Sequence, residues 1–140
     1  MRVYTRTMTP HCYCIVLRKA SRKLTSLYDA ALEPLGVNIA QFSLLRRIGR
    51  HAPVSLTELG HQTELDRSTI GRNTKLLERM GLVVTTTGVD QREAVLGLTE
   101  AGRQLLDDGA PLWDGVQETI ETRLGGPQAA AALNDLLGAL

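Results

Sequence analysis

The chain has 140 residues, 43% hydrophobic and 22% charged, which suits one compact domain or a domain with helical extensions for association. Charges interrupt every apolar run short of the roughly 18 residues of a membrane span, and the N-terminus lacks the continuous apolar segment of a secretory signal. The net charge of +1 hides an asymmetry: residues 1–36 carry six Lys/Arg against two acids, 37–98 eight against six, and 99–140 two against seven. A basic front and an acidic tail point weakly to nucleic acid, and a solvated acidic helix face explains the tail equally well. Two cysteines this close make a poor disulfide staple, which fits a reducing cytoplasm, so the expectation is a cytoplasmic protein with no membrane partner.

Helix signals dominate. Thr9 as N-cap and Pro10 in the first helical position open a first helix. Val16, Ala20, Leu24, Leu27 and Ala31 recur along it at spacings of three and four, and it runs to about Leu32, before Pro34 and Gly36. Asn38 with Gln41 resembles a capping box for a second helix that carries Phe42, Leu45 and Ile48 on one face. "RHAPVS" reads as a break, after which Ser55 with Glu58 forms a capping box that opens a short third helix.

Asp66 caps a fourth helix, "RSTIGRNTKLLERM", stopped by Gly81. Ile70, Leu77 and Met80 fall broadly on one side, with Leu76 beside them. Ser68, Arg72, Lys75 and Arg79 form a stripe on the other. The pattern then changes period: "LVVTTT" and "AVLGL", joined by "GVDQRE", read as a β-hairpin. Thr99 caps a long fifth helix expected to bend near Gly109 to Pro111, and "QAAAALNDLLGAL" forms a last Ala/Leu-rich helix.

Small hydroxyls and long cations at this spacing suit a helix inserted in the major groove, where they reach phosphates and base edges. A merely solvated amphipathic face is the plain alternative. The hairpin adds to the first reading, because an Arg at a wing tip can enter a narrow minor groove and a nearby carboxylate can hold its guanidinium. Arg92 and Asp90 stand at that tip. There is no phosphate-binding glycine loop, no HExxH, and no nucleophile with an evident base, so an enzyme is not expected. His11, His51 and His61 are scattered, and no cofactor or metal is called for.

These motifs together resemble the winged-helix core of the MarR family of bacterial transcription regulators. The resemblance rests on Leu56–Leu65, Asp66-Arg-Ser-Thr69, Leu77-Glu-Arg-Met-Gly-Leu82, Asp90-Gln-Arg92 and Leu98-Thr-Glu-Ala-Gly102, and it extends over nearly all of the chain after about residue 12. It implies a mainly α-helical winged helix-turn-helix fold with a small β-hairpin wing. Residues 1–36 and 99–140 would be dimerisation helices, and 37–98 the DNA-binding domain. It further implies a homodimeric repressor on a pseudo-palindromic double-stranded operator. The expected contacts are Ser68, Thr69, Arg72 and Lys75 in the major groove, Arg67 and Arg79 on phosphates, and Arg92 in the minor groove, oriented by Asp90. One departure is the strand before the wing tip, "TTTG", which lacks the extra cations of many family wings.

The signal is less defined. The resemblance implies a cleft for a small aromatic or phenolic ligand, with Phe42 and Tyr28 as candidates, although both suit ordinary core or interface positions. The organic-hydroperoxide-sensing branch carries a reactive cysteine early in the first helix, and laying that pattern on this chain selects Cys14. Tyr28 falls where one thiol-contacting tyrosine belongs, while Arg18 replaces the other. A cation one turn from a thiol, and the positive end of a helix, are settings that favour a thiolate. Cys12 and Cys14 have two other readings, as small apolar side chains or, with His11, as a metal site. The remaining alternative for the whole chain is a winged-helix module that binds protein.

Overall fold

The computed structural model of the chain describes residues 11–88 and 93–140. Along them run helix α1 (Tyr13–Leu32), a 3-10 turn (Glu33–Leu35), α2 (Ile39–His51), strand β1 (Val54–Ser55), α3 (Leu56–Thr63), α4 (Arg67–Arg79), β2 (Val83–Thr87), β3 (Ala94–Leu98), α5 (Glu100–Leu124) and α6 (Pro127–Gly138). The fold is mainly helical with a small antiparallel sheet, a winged helix-turn-helix between helical arms.

Local capping chemistry sets most of the helix starts. Asn38 accepts from the backbone of Gln41 at 2.9 Å while Gln41 accepts from the backbone of Asn38 at 3.0 Å, completing the expected capping box. Ser55 accepts from Glu58 N at 3.1 Å, and Asp66 from Thr69 N at 2.7 Å. Thr99 accepts from Gly102 N at 3.0 Å and donates its hydroxyl to the Gly81 carbonyl at 2.6 Å. One residue therefore starts α5 and holds the end of α4.

Several expectations change. Helix α1 begins at Tyr13, with Cys12 in extended backbone at the N-cap position and no side-chain capping bond. The expected cap at Thr9 and Pro10 lies outside the described residues. The sheet has three strands in the order β1-β3-β2, because Val54 and Ser55, read as part of a break, pair with Leu96 and Val95 of β3. Val54 is buried there, which gives the short strand its anchor. Helix α5 is one continuous helix that includes Pro111, in the stretch where a bend is expected.

The buried face of α4 also differs from expectation. Ile70, Thr74 and Leu77 point inward, whereas Leu76 and Met80 are exposed. Those three positions follow i, i+4, i+7, and Thr74 tolerates burial because its hydroxyl donates to the Gly71 carbonyl at 3.1 Å. The core joins this face to Phe42, Leu45 and Ile48 of α2, Leu59 of α3, and Leu82, Val83 and Leu96 near the sheet. Its components lie almost wholly between Leu32 and Leu98, so the helix-turn-helix and the base of the hairpin are packed as one body.

The terminal helices are packed differently. Leu32 is the only buried residue of α1, and α6 has none. The α1 stripe read from the sequence is largely uncovered, with Val16 and Leu24 exposed, and Leu136 of α6 is 71% exposed.

Candidate nucleic-acid interface

Helix α4 presents Arg67, Ser68, Arg72, Lys75 and Arg79 to solvent, with Thr69 half-buried at the edge of that face. The core contacts of Ile70, Thr74 and Leu77 on the opposite side fix its rotation. The helix therefore has one outward face, built of cations and hydroxyls.

Asp66 organises its first turn. Its Oδ1 accepts from the Thr69 amide and from the Ser68 hydroxyl at 2.8 Å, and Arg72 Nη2 donates to Thr69 Oγ1 at 3.4 Å. The Thr69 amide bond, and after it the Ser68 hydroxyl, bring the Asp66 carboxyl down to about 2. Ser68 thus has its proton committed to Asp66 in the free protein, and must release it to donate to a phosphate or base. This local network brings Ser68, Thr69 and Arg72 together; Lys75 and Arg79 continue the stripe by helix geometry alone.

The wing is an antiparallel ladder from Val83↔Leu98 to Thr87↔Ala94, extended by Gly88 N donating to Glu93 O at 2.9 Å. Asp90 and Arg92 lie outside the described residues. The strand expected to be poor in cations shows Val84 and Thr85–Thr87 exposed. Thr85 donates its hydroxyl to Glu78, joining β2 to the recognition helix. Sequence reasoning did not anticipate this link, since no pattern pairs a helix carboxylate with a strand hydroxyl.

The cleft implied by the resemblance has a candidate in the structure. A cleft of about 460 Å³ opens between α2 and α5, with Phe42, Arg46, Arg50, Arg103 and Trp113 among its lining residues. The Arg46 guanidinium carbon stacks 4.1 Å from the centroid of Trp113. Of the two ligand candidates, Phe42 is among the lining residues and Tyr28 is not. Tyr28 instead donates to Gln117 of α5. Its pKa is raised by burial, partly offset by the charge of Arg46, while Glu121 adds to the rise.

The residues of the expected thiol site are not assembled within the chain. Cys12, Cys14 and Arg18 are exposed at the start of α1. Tyr28 stands fourteen residues further on, about 21 Å along the same helix. Among the described residues no three His, Cys, Asp or Glu side chains gather as a metal site, and no helix is long and apolar enough to cross a membrane.

Comparison with known proteins agrees with this architecture. Residues 35–93 match the sequence model of the MarR family. The organic hydroperoxide resistance transcriptional regulator of Bacillus subtilis is 29% identical over 93 residues, covering 66% of this chain and 63% of that protein, under two thirds of its length. The HTH-type transcriptional repressor NicR of Pseudomonas putida is 31% identical over 120 residues, 84% of this chain and 75% of NicR. Among solved structures, the M. tuberculosis transcriptional regulator MosR in complex with DNA superposes with a TM-score of 0.78 at 35% identity, covering 92% of this chain and 96% of that one.

Proposed function

Since the chain belongs to the MarR family, we propose that it is a cytoplasmic, homodimeric, sequence-specific DNA-binding transcriptional repressor. The observation that carries this reading is the outward face of α4, where Ser68, Arg72, Lys75 and Arg79 stand clear of the core on a helix held from both ends. Ser68, Thr69, Arg72 and Lys75 read the major groove, and Arg67 and Arg79 hold phosphates. Arg92 enters the minor groove with Asp90 beside it. Residues 37–98 form the DNA-binding unit, and 1–36 with 99–140 the dimerisation arms. The exposed apolar side chains of α1 and α6 support a second protomer there, since neither helix covers them within one chain. Two lobes of such a dimer would meet half-sites about 34–36 Å apart on one face of the duplex.

The α2–α5 cleft is the place for an effector. Arg46, Arg50 and Arg103, interleaved with Asp107 and Asp114, and the Trp113 ring suit a small aromatic or phenolic acid, whose binding would move α5 against the DNA-binding unit.

The test is a selection of duplexes from a random pool, followed by titration of the winner over a range of salt. Enrichment of a pseudo-palindrome, with log affinity falling linearly against log salt, is expected. No enrichment and no salt dependence would favour a protein-binding winged helix instead.

A further inference from the structure

We propose that Leu76 of α4 is a base-reading residue that packs on the 5-methyl group of a thymine in the major groove. This role rests on the DNA-binding reading above and adds a sequence preference to it.

The large exposed apolar side chains fall into two groups. Those between residues 13 and 24, and between 124 and 140, lie on the helices assigned above to the second protomer. The others among the described residues are Leu65, Leu76, Met80 and Val84, all on or beside the recognition helix. Pairing of the arms gives no reason for these four. An exposed leucine is by itself ordinary; what distinguishes Leu76 is its place between two cations of the outward face.

Helix geometry sets that place. Ile70, Thr74 and Leu77 are buried and fix the inward direction of α4. At about 100° per residue, the opposite direction passes between Arg72 and Arg79. Leu76 is turned about 40° from Arg72 around the helix, nearer the outward direction than Thr69 at about 60°. Arg72 precedes it by four residues and Arg79 follows it by three, so both are its neighbours on the helix surface. Its side chain is 40% exposed. One flank borders a small gap toward the start of α2, beside Asn38, Gln41 and Leu44.

The chemistry of the side chain selects its partner. With Arg72 on a base edge and Arg79 on a phosphate, the surface between them is pressed into the groove as well. Leucine offers no hydrogen bond there, so covering a phosphate or a base carbonyl or amino group would leave that group unpaired. The one apolar group that the major groove of B-DNA displays is the C5-methyl of thymine. Contact between the two removes both from water and strands no polar group.

The experiment starts from the duplex that the full-length protein selects from a random pool. Each thymine is replaced in turn, symmetrically in both half-sites, by deoxyuridine, which lacks only the methyl group and keeps the base pair. Titrations run at one fixed salt concentration. For the wild type, one symmetric pair of thymines should matter, next to the position whose preference Arg72→Ala relaxes. Its replacement should weaken binding about 15-fold, from about four-fold for each methyl group buried. Leu76→Ala should lose a similar factor on the thymine duplex. The same uridine pair should then change its affinity by less than about two-fold, because the two deletions remove one shared contact. A second selection with Leu76→Gln, which adds a donor and an acceptor, should lose the preference for thymine at that position. The uridine duplexes probe the wild type itself, so a folding defect cannot imitate the effect. Methyl sensitivity at no thymine, a uridine penalty undiminished in Leu76→Ala, or thymine still enriched by Leu76→Gln would each overturn the proposal, leaving Leu76 as a cover for the start of α2. Those results, on a duplex that is selected, leave the DNA-binding reading standing. Failure to select any duplex would overturn that reading, and this role with it.

Discussion

Gly109 of α5 lies directly against the ring of Phe42 in α2, so close that a Cβ at 109 would overlap the ring atoms. Phe42 is 1% exposed and cannot swing into solvent without opening the core. Gly109→Ala should therefore destabilise the protein by about 1–3 kcal/mol through overpacking, despite the better helix propensity of alanine. Gly115, on the same helix with nothing near its missing Cβ, supplies the control: Gly115→Ala should stabilise by about 0.5–1 kcal/mol. Urea unfolding at one fixed protomer concentration reads both, since a dimer's apparent stability depends on concentration. Equal effects of the two substitutions would contradict the packing account.

Glu64 closes α3 in left-handed backbone, at φ 56°, and is the one non-glycine residue with positive φ among those described. This conformation brings the Cβ of an L-residue against the backbone. Glu64→Gly should raise stability by about 0.5–1 kcal/mol, the relief being partly cancelled by the greater freedom of glycine in the unfolded chain. Thermal melts at fixed concentration measure it. A lower melting temperature would mean that the Glu64 side chain stabilises the turn by more than its backbone costs.

How much of this was legible depends on the range of each interaction. Asn38 with Gln41, Ser55, Asp66 and Thr99 were readable because a cap acts over three residues, and each N-cap bond is present. Only Asn38 and Gln41 close both halves of a capping box, while Ser55 and Glu58 make one. The outward stripe of α4 was readable for the same reason, as helical periodicity places it. The contacts between elements were not. Asp29 accepts from the amide of Ile39, tying α1 to α2. Arg46 lies on Trp113 across the cleft, and Val54 pairs with a strand some forty residues on. None of these leaves a periodic trace, and a two-residue strand is too short to show alternation. Thr74 was missed because its polar type masks an inward position, made tolerable by the Gly71 carbonyl.

Asp66 gives a prediction about acid. Its carboxyl is held near 2, below the ordinary aspartate value, by bonds that exist only in the folded state. The unfolded chain thus takes up the proton first as pH falls, so the contribution of Asp66 is fully present above about pH 4 and is lost on approach to pH 2. Asp66→Asn keeps a good N-cap without the charge. The stability difference between wild type and Asp66→Asn should be constant from pH 7 to about pH 5, then shift against the wild type as the pH drops further. A difference that stays flat down to pH 2 would show that the anion contributes nothing. Asp66→Ala, which also removes the cap, should be less stable than either throughout.

The outward face of α4 divides into base-reading and phosphate-holding positions, and the two can be separated. A recognition helix meets base edges mainly through its N-terminal residues. Arg72 sits in that half, its guanidinium already within 3.4 Å of Thr69, whereas Arg79 stands in the last turn. Arg72→Ala should cost about 1–3 kcal/mol and relax sequence preference at one position of each half-site. Arg79→Ala should weaken binding almost uniformly across sequences and make the salt slope shallower by about one unit. Arg92→Ala should also cost about 1–3 kcal/mol, with its loss concentrated on duplexes whose flanks are A·T-rich, where a narrow minor groove attracts an inserted arginine. Titrations of all three variants on the selected duplex and on single-substitution duplexes, over a range of salt, separate these outcomes. If Arg72→Ala changed only the salt slope, that side chain would be a phosphate contact, and reading would pass to Ser68, Thr69 and Lys75.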